Sequence, residues 1–209
     1  MTLLLRTALI LFTIGRAQSA APGSQSADDL VAELRQFRAA ISGVARSDGR
    51  PDPTEERRRA IYDRLWTLGP EAIPALNRGL ADPDVQIRRN VALFLSAAGD
   101  TWYDRSRPPL DIRSCLKPLI TALSDSDARV RQLAAQAVGA IGPAASSAVP
   151  ALITLLSSTD EGSRNTALIG LRRIGPDARE ALPAIRQALN DPSADVRRFA
   201  QRAIEAIEK

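Results

Sequence analysis

The feature that most constrains this chain is an internal repeat. Four segments of its 209 residues align on one arginine each: VQIRRNVALFLSAAG, ARVRQLAAQAVGAIG, EGSRNTALIGLRRIG and ADVRRFAQRAIEAIE. The anchors are Arg88, Arg131, Arg164 and Arg197, spaced 43, 33 and 33 residues apart. Three residues after each anchor stand Val91, Ala134, Ala167 and Ala200, and seven after stand Leu95, Val138, Leu171 and Ile204. That spacing is one face of an α-helix. Four residues before the anchors stand Asp84, Asp127, Asp160 and Ser193, side chains that accept the free N–H groups of a helix start. Gly99, Gly142 and Gly175 follow eleven residues after, where a helix can end at positive φ. A degenerate fifth copy reads Arg58, Ile61, Leu65, Leu68, Gly69.

A second helical pattern precedes each of these. The segments EAIPALNRGLAD, CLKPLITALSD, SAVPALITLLSS and EALPAIRQALND carry Pro74, Pro118, Pro150 and Pro183 near their starts, where a missing N–H is harmless. Each unit is thus a pair of helices, A then B. A hairpin of about 33 residues cannot bury its apolar stripe alone, so neighbours stack and bury it together. The predicted fold is all-α: an α-solenoid of about five antiparallel helix pairs.

The residues that carry the repeat resemble the HEAT repeat family, in its short bacterial phycobilisome-lyase-like branch. The pattern is Pro in helix A, Asp-x-x-Val-Arg at the turn and Ala-x-x-Ala-Leu-x-x-Ile-Gly in helix B, over roughly residues 54–208. Departures are Ser163 in place of Val, Ser193 in place of the turn Asp, and no closing Gly in the last copy. The resemblance implies a superhelix whose B helices line the concave side.

Upstream, residues 27–42 read as a helix with Leu30, Leu34, Phe37 and Ile41 on one face, and 45–53 as a linker. Residues 22–53 are read as the N-terminal helix of a capping hairpin plus its linker, and 54–209 as the solenoid. Residues 1–21, MTLLLRTALILFTIGRAQSAA, read as a cleaved signal peptide, with a short apolar stretch followed by small residues. The expected location is extracytoplasmic, periplasmic or secreted. No other segment reads as a membrane span.

Composition excludes several chemistries. His is absent, which removes His-based triads, His metal sites and His general bases. It also removes the His-Glu di-iron site of one enzyme in the resembling family. The lone cysteine, Cys115, can form neither an internal disulfide nor a Cys-cluster zinc site, and reads as a small, partly buried side chain. No cofactor and no metal are expected. All but Lys117 and Lys209 of the 28 basic residues are Arg, against 24 acidic ones, a net charge of +4 that argues only weakly for nucleic acid.

Three constellations remain. Asp84, Arg88, Asp127, Arg131, Asp160, Arg164 and Arg197 form a row, read as a structural ladder in which each arginine bonds the turn carboxylate or carbonyls of its own or a neighbouring unit and Asp84/Arg88, Asp127/Arg131 and Asp160/Arg164 tie the turns together; the alternative is an anion-binding row. The concave positions one, five and eight residues after each anchor bring Arg59, Trp66, Arg89, Asn165, Arg172 and Arg198 to one face, a mixture suited to a peptide or protein segment. The longer spacing of 43 comes from an insertion at 99–114, which carries Trp102 and Tyr103, and loops on a repeat scaffold often carry function. The reading is a non-catalytic protein-interaction scaffold. The alternatives are a lyase-like or accessory enzyme subunit and, third, a nucleic-acid binder.

Overall fold

A computed structural model describes residues 25–37, 53–99 and 109–209. The leader at 1–21, the linker up to residue 52, Ile41, and Trp102 and Tyr103 of the insertion lie outside the described residues. Ten α-helices follow in order among those described: α1 Ala27–Glu33, α2 Pro53–Leu68, α3 Ile73–Gly79, α4 Val85–Ala98, α5 Leu116–Ala122, α6 Ala128–Ile141, α7 Val149–Leu155, α8 Glu161–Ile174, α9 Leu182–Ala188 and α10 Ala194–Ile207. The described residues contain no strand.

The B helices are α4, α6, α8 and α10, each 14 residues long. Each starts where the sequence places it. Asp84, Asp127, Asp160 and Ser193 cap the four starts, accepting from the backbone N–H of Gln86, Val130, Ser163 and Val196. Gly142 and Gly175 end α6 and α8 at φ 71° and 73°, a region that only glycine enters at little cost. Gly99 is a correction, for it follows α4 at φ −80°. Space is what demands glycine there, since a Cβ would stand 2.6 Å from Ile112 Cδ1 and 2.9 Å from the Ala140 Cβ.

The A helices are α3, α5, α7 and α9, seven residues each, every one entered through a 3-10 turn. Pro74, Pro150 and Pro183 lie in the first two helical positions, and Pro118 is the third residue of α5. Residues Ala128–Leu155, which span α6 and α7, are long and apolar enough to cross a membrane by length and composition, a run the sequence reading does not single out. The chain bends within it, at Gly142 and at Ala145 (φ −94°, ψ 17°), so the run is two packed helices of the solenoid.

B helices stack on one another in the order α4, α6, α8, α10, with α5 against α6, α7 against α8 and α9 against α10. The core runs between the layers. Val91, Ala134, Ala167 and Ala200 are fully buried, as are Leu76, Leu119, Leu152 and Ile185 from the A helices. Four residues past each anchor, Ala92, Ala135 and Leu168 are buried, while α10 has Gln201 exposed there and donating to Glu205 at 3.1 Å. The outermost described helix therefore presents a polar face.

The other end is built differently. The predicted 27–42 helix is shorter: α1 stops at Glu33, a 3-10 turn covers Leu34–Gln36, and Phe37 is extended. Buried Asn90 explains the stop, because its side-chain amide donates to the carbonyls of Leu34 (3.2 Å) and Phe37 (2.7 Å). Tyr62 of α2 donates its hydroxyl to the Asn90 carbonyl at 2.9 Å and packs on Phe94.

Candidate interaction surface

Two rows of hydrogen bonds fix how neighbouring units stack. In the first, each anchor arginine clamps its own A-to-B turn. Nη1 of Arg88, Arg131, Arg164 and Arg197 donates to two successive carbonyls: Asp82 and Pro83, Asp125 and Ser126, Ser158 and Thr159, Asp191 and Pro192, all within 3.2 Å. Two anchors also reach the next unit. Arg88 forks onto Asp125 (2.7 and 3.2 Å) and Arg164 onto Asp191 (2.7 and 2.9 Å). Arg131 has no such fork, because Ser158 stands where the other turns have Asp82, Asp125 and Asp191.

The predicted pairs are thus corrected. Arg88 binds Asp125, not Asp84, and Arg164 binds Asp191, not Asp160; Arg131 binds carbonyls and not Asp127. The turn acids are occupied as N-caps, and their remaining oxygen lone pairs serve a second row. Arg35 pairs with Asp84 at 2.9 Å, Arg89 Nε with Asp127 at 2.9 Å, and Gln132 with Asp160 at 2.8 Å. At the last junction Ser193 donates to Glu161 at 2.7 Å, and the buried Oδ1 of Asn165 finds no partner.

The Arg89 guanidinium holds the Asp127 carboxyl below its ordinary value, and Arg164 does the same to Asp191. Burial pushes the Cys115 thiol up to about 12, so it stays protonated and unreactive at neutral pH. Among the described residues no group of three or more Cys, Asp or Glu side chains could hold a metal ion.

The face of each B helix turned away from the core carries the positions two before and one, five and eight after the anchor, as 3.6 residues per turn requires. On this face Arg172, Arg198 and Arg202 are exposed, and Gln132, Gln136, Asn165 and Ile169 are half-buried. The predicted residues therefore divide. Arg172 and Arg198 are open to solvent, although Arg198 pairs with Asp195 at 2.8 Å. Arg89 is committed to Asp127 and lies half-buried. Trp66 is half-buried edge-on to Phe94, with ring centroids 6.2 Å apart, and packs against the core; Leu93 and Ser96 on α4 are buried outright. Arg59 is exposed on α2. Arg129, absent from the predicted set, belongs to this face: it lies two residues before its anchor, a position the pattern of one, five and eight omits.

A groove of about 260 Å³ lies where the insertion rejoins the solenoid, lined by residues that include Gly99, Leu110, Ile112 and Ile141. It is mostly apolar, with the exposed Asp111–Arg113 ion pair (2.7 Å) at its rim.

Residues 116–207 match the model of HEAT repeats. No curated protein sequence matches the chain. Among solved structures, the chain is similar to a designed armadillo repeat protein in complex with the peptide (KR)4, at 18% identity and a TM-score of 0.59, over 86% of this chain and 81% of that one. It is similar to the complex of CpcE and CpcF of phycocyanin lyase from Nostoc sp. (24% identity, TM-score 0.56, 90% and 67% covered). It is also similar to an archaeal HEAT-like repeats protein from Thermococcus onnurineus (15%, 0.53, 88% and 66%). At these identities the likeness is one of fold. The match and the stacked helix pairs agree: residues 116–207 carry the HEAT-repeat pattern, and the fold is an α-solenoid similar to those of HEAT and armadillo repeat proteins.

Proposed function

We propose that the chain is a non-catalytic scaffold that binds a protein or peptide on the outer face of its B helices, in an extracytoplasmic compartment. The observation that carries this reading is the division of labour around each B helix. One side is spent in the core and the flanks in stacking, while the outer positions of α6, α8 and α10 keep a mixed set of amide, guanidinium and apolar side chains accessible. Such a set suits recognition of a chain segment, with Arg as the best energetic anchor. The known structures of similar fold include one holding a peptide and one made of two different subunits, which fits a binding role. The leader-like residues 1–21 support the compartment.

Affinity capture from an envelope fraction tests the face. Ile169→Ala and Arg172→Ala should each weaken recovery of the captured partner, whereas Lys117→Ala and Arg186→Ala on the A helices should not. Variants must melt as the parent protein does. Loss of capture with the A-helix changes alone would move the binding surface to the other side of the solenoid. The compartment is checked by the N-terminal residue of the protein from its own host: a start between about Gln18 and Pro22 is expected, and a retained Met1 would refute the processing.

A further inference from the structure

Charge on the outer face is unevenly satisfied. Two carboxylates there are held by arginines, Asp127 by Arg89 and Asp195 by Arg198, while Glu205 and Glu161 meet the neutral donors Gln201 and Ser193. Three guanidiniums make no ion pair among the described residues. Arg172 on α8 and Arg202 on α10 are exposed and make no ion pair among the described residues. Arg129 on α6 is half-buried, and its side chain makes one hydrogen bond, to Gln132 Oε1 at 3.3 Å. Burial and then the neighbouring Arg89 lower its pKa, against the opposing pull of Asp127. That carboxylate is committed to Arg89, and a half-buried cation left without an ion pair of its own is an arrangement that an anionic ligand relieves.

The register sets the spacing. Neighbouring helices pack about 8–10 Å apart. Arg172 and Arg202 differ by three positions in register, about 4.5 Å along the axis, so their backbones lie about 10 Å apart, or roughly three residues of extended chain. Arg129 and Arg172 differ by ten positions, about 15 Å along the axis, so five to six extended residues separate them. Ile169 lies between, half-buried.

Resting on the binding face proposed above, we infer that this face takes an extended acidic peptide segment, its carboxylates reaching Arg129, Arg172 and Arg202. A Lys- or Arg-rich segment meets three guanidiniums against the two carboxylates, Glu161 and Glu205, that no arginine bridges. A nucleic acid brings phosphates at a charge density that exceeds what three separated cations match.

Fluorescence anisotropy with the full chain tests this, using a labelled ten-residue peptide of Ser and Leu with Glu at every third position, the same peptide with Lys for Glu, and a labelled oligothymidine. The Glu peptide is expected to bind at least tenfold more tightly than the other two. Arg172→Gln with Arg202→Gln should weaken it about tenfold or more, as should raised salt, with the melting temperature unchanged. If the Lys peptide binds as tightly and Ile169→Ala weakens it, the acidic preference is wrong while the binding face stands. If the oligothymidine binds more tightly than the Glu peptide, or the Glu peptide fails to bind at millimolar concentration, the inference is overturned.

Discussion

Ser163 occupies a site that the other B helices give to Ile87, Val130 and Val196, all buried. It is fully buried itself; its hydroxyl makes no hydrogen bond of good geometry but faces the Asp160 carboxylate and helps to lower its pKa. That contact offsets part of the lost hydration, while the methyl groups of a valine add apolar burial. Ser163→Val is expected to raise stability by about 1 kcal/mol, read as an increase in melting temperature. Ser163→Ala, which loses the contact without adding volume, should not raise it. The departure at Ser163 is legible in the sequence, because the repeat supplies three sister positions for comparison. The N-caps are legible for the same reason. Trp66 was not: its place eight residues after Arg58 put it on the outer face, and its packing on Phe94 depends on how α2 leans on α4.

At the scale of elements, the junction between α6 and α8 lacks a rung that its neighbours have. Arg88 and Arg164 fork onto the first acid of the following turn, and Arg131 meets Ser158 instead. Ser158→Asp should supply the missing fork while keeping the hydrogen bond that Ser158 Oγ accepts from the Asp160 N–H. The expected gain is up to about 1 kcal/mol, diminishing as salt rises, and absent when Arg131 is replaced by Met. Conversely, Asp191→Asn should cost about 1–3 kcal/mol at neutral pH and soften the acid dependence of unfolding. The sign follows from the lowered pKa of Asp191: its stabilisation is complete above the ordinary carboxylate value near 3.8 and is lost as pH falls through the lower folded value. Melting temperatures from pH 7 to pH 2 check both parts. The sequence shows that Asp and Arg recur together, and a same-turn pairing is the natural reading. Which arginine meets which acid depends on stacking between units, and nothing in a single repeat encodes it. The extent of α1 was hidden likewise, because Asn90, fifty-six residues after Leu34, competes for the backbone that would have continued the helix.

At the scale of the whole molecule, the two ends of the stack are unlike each other. The α10 end turns Gln201, bonded to Glu205, outward where Ala92, Ala135 and Leu168 are covered by a following unit. A stack of near-identical layers has no intrinsic length: any molecule able to seat its last layer on the first layer of another would grow head to tail into an open filament, since such a contact does not close on itself. Gln201 and Glu205 on α10 oppose such growth by offering polar groups where a docking layer needs apolar ones. Gln201→Leu together with Glu205→Ala should therefore give a chain that still melts cooperatively but whose apparent mass in light scattering climbs with concentration, whereas the parent protein should show no such climb.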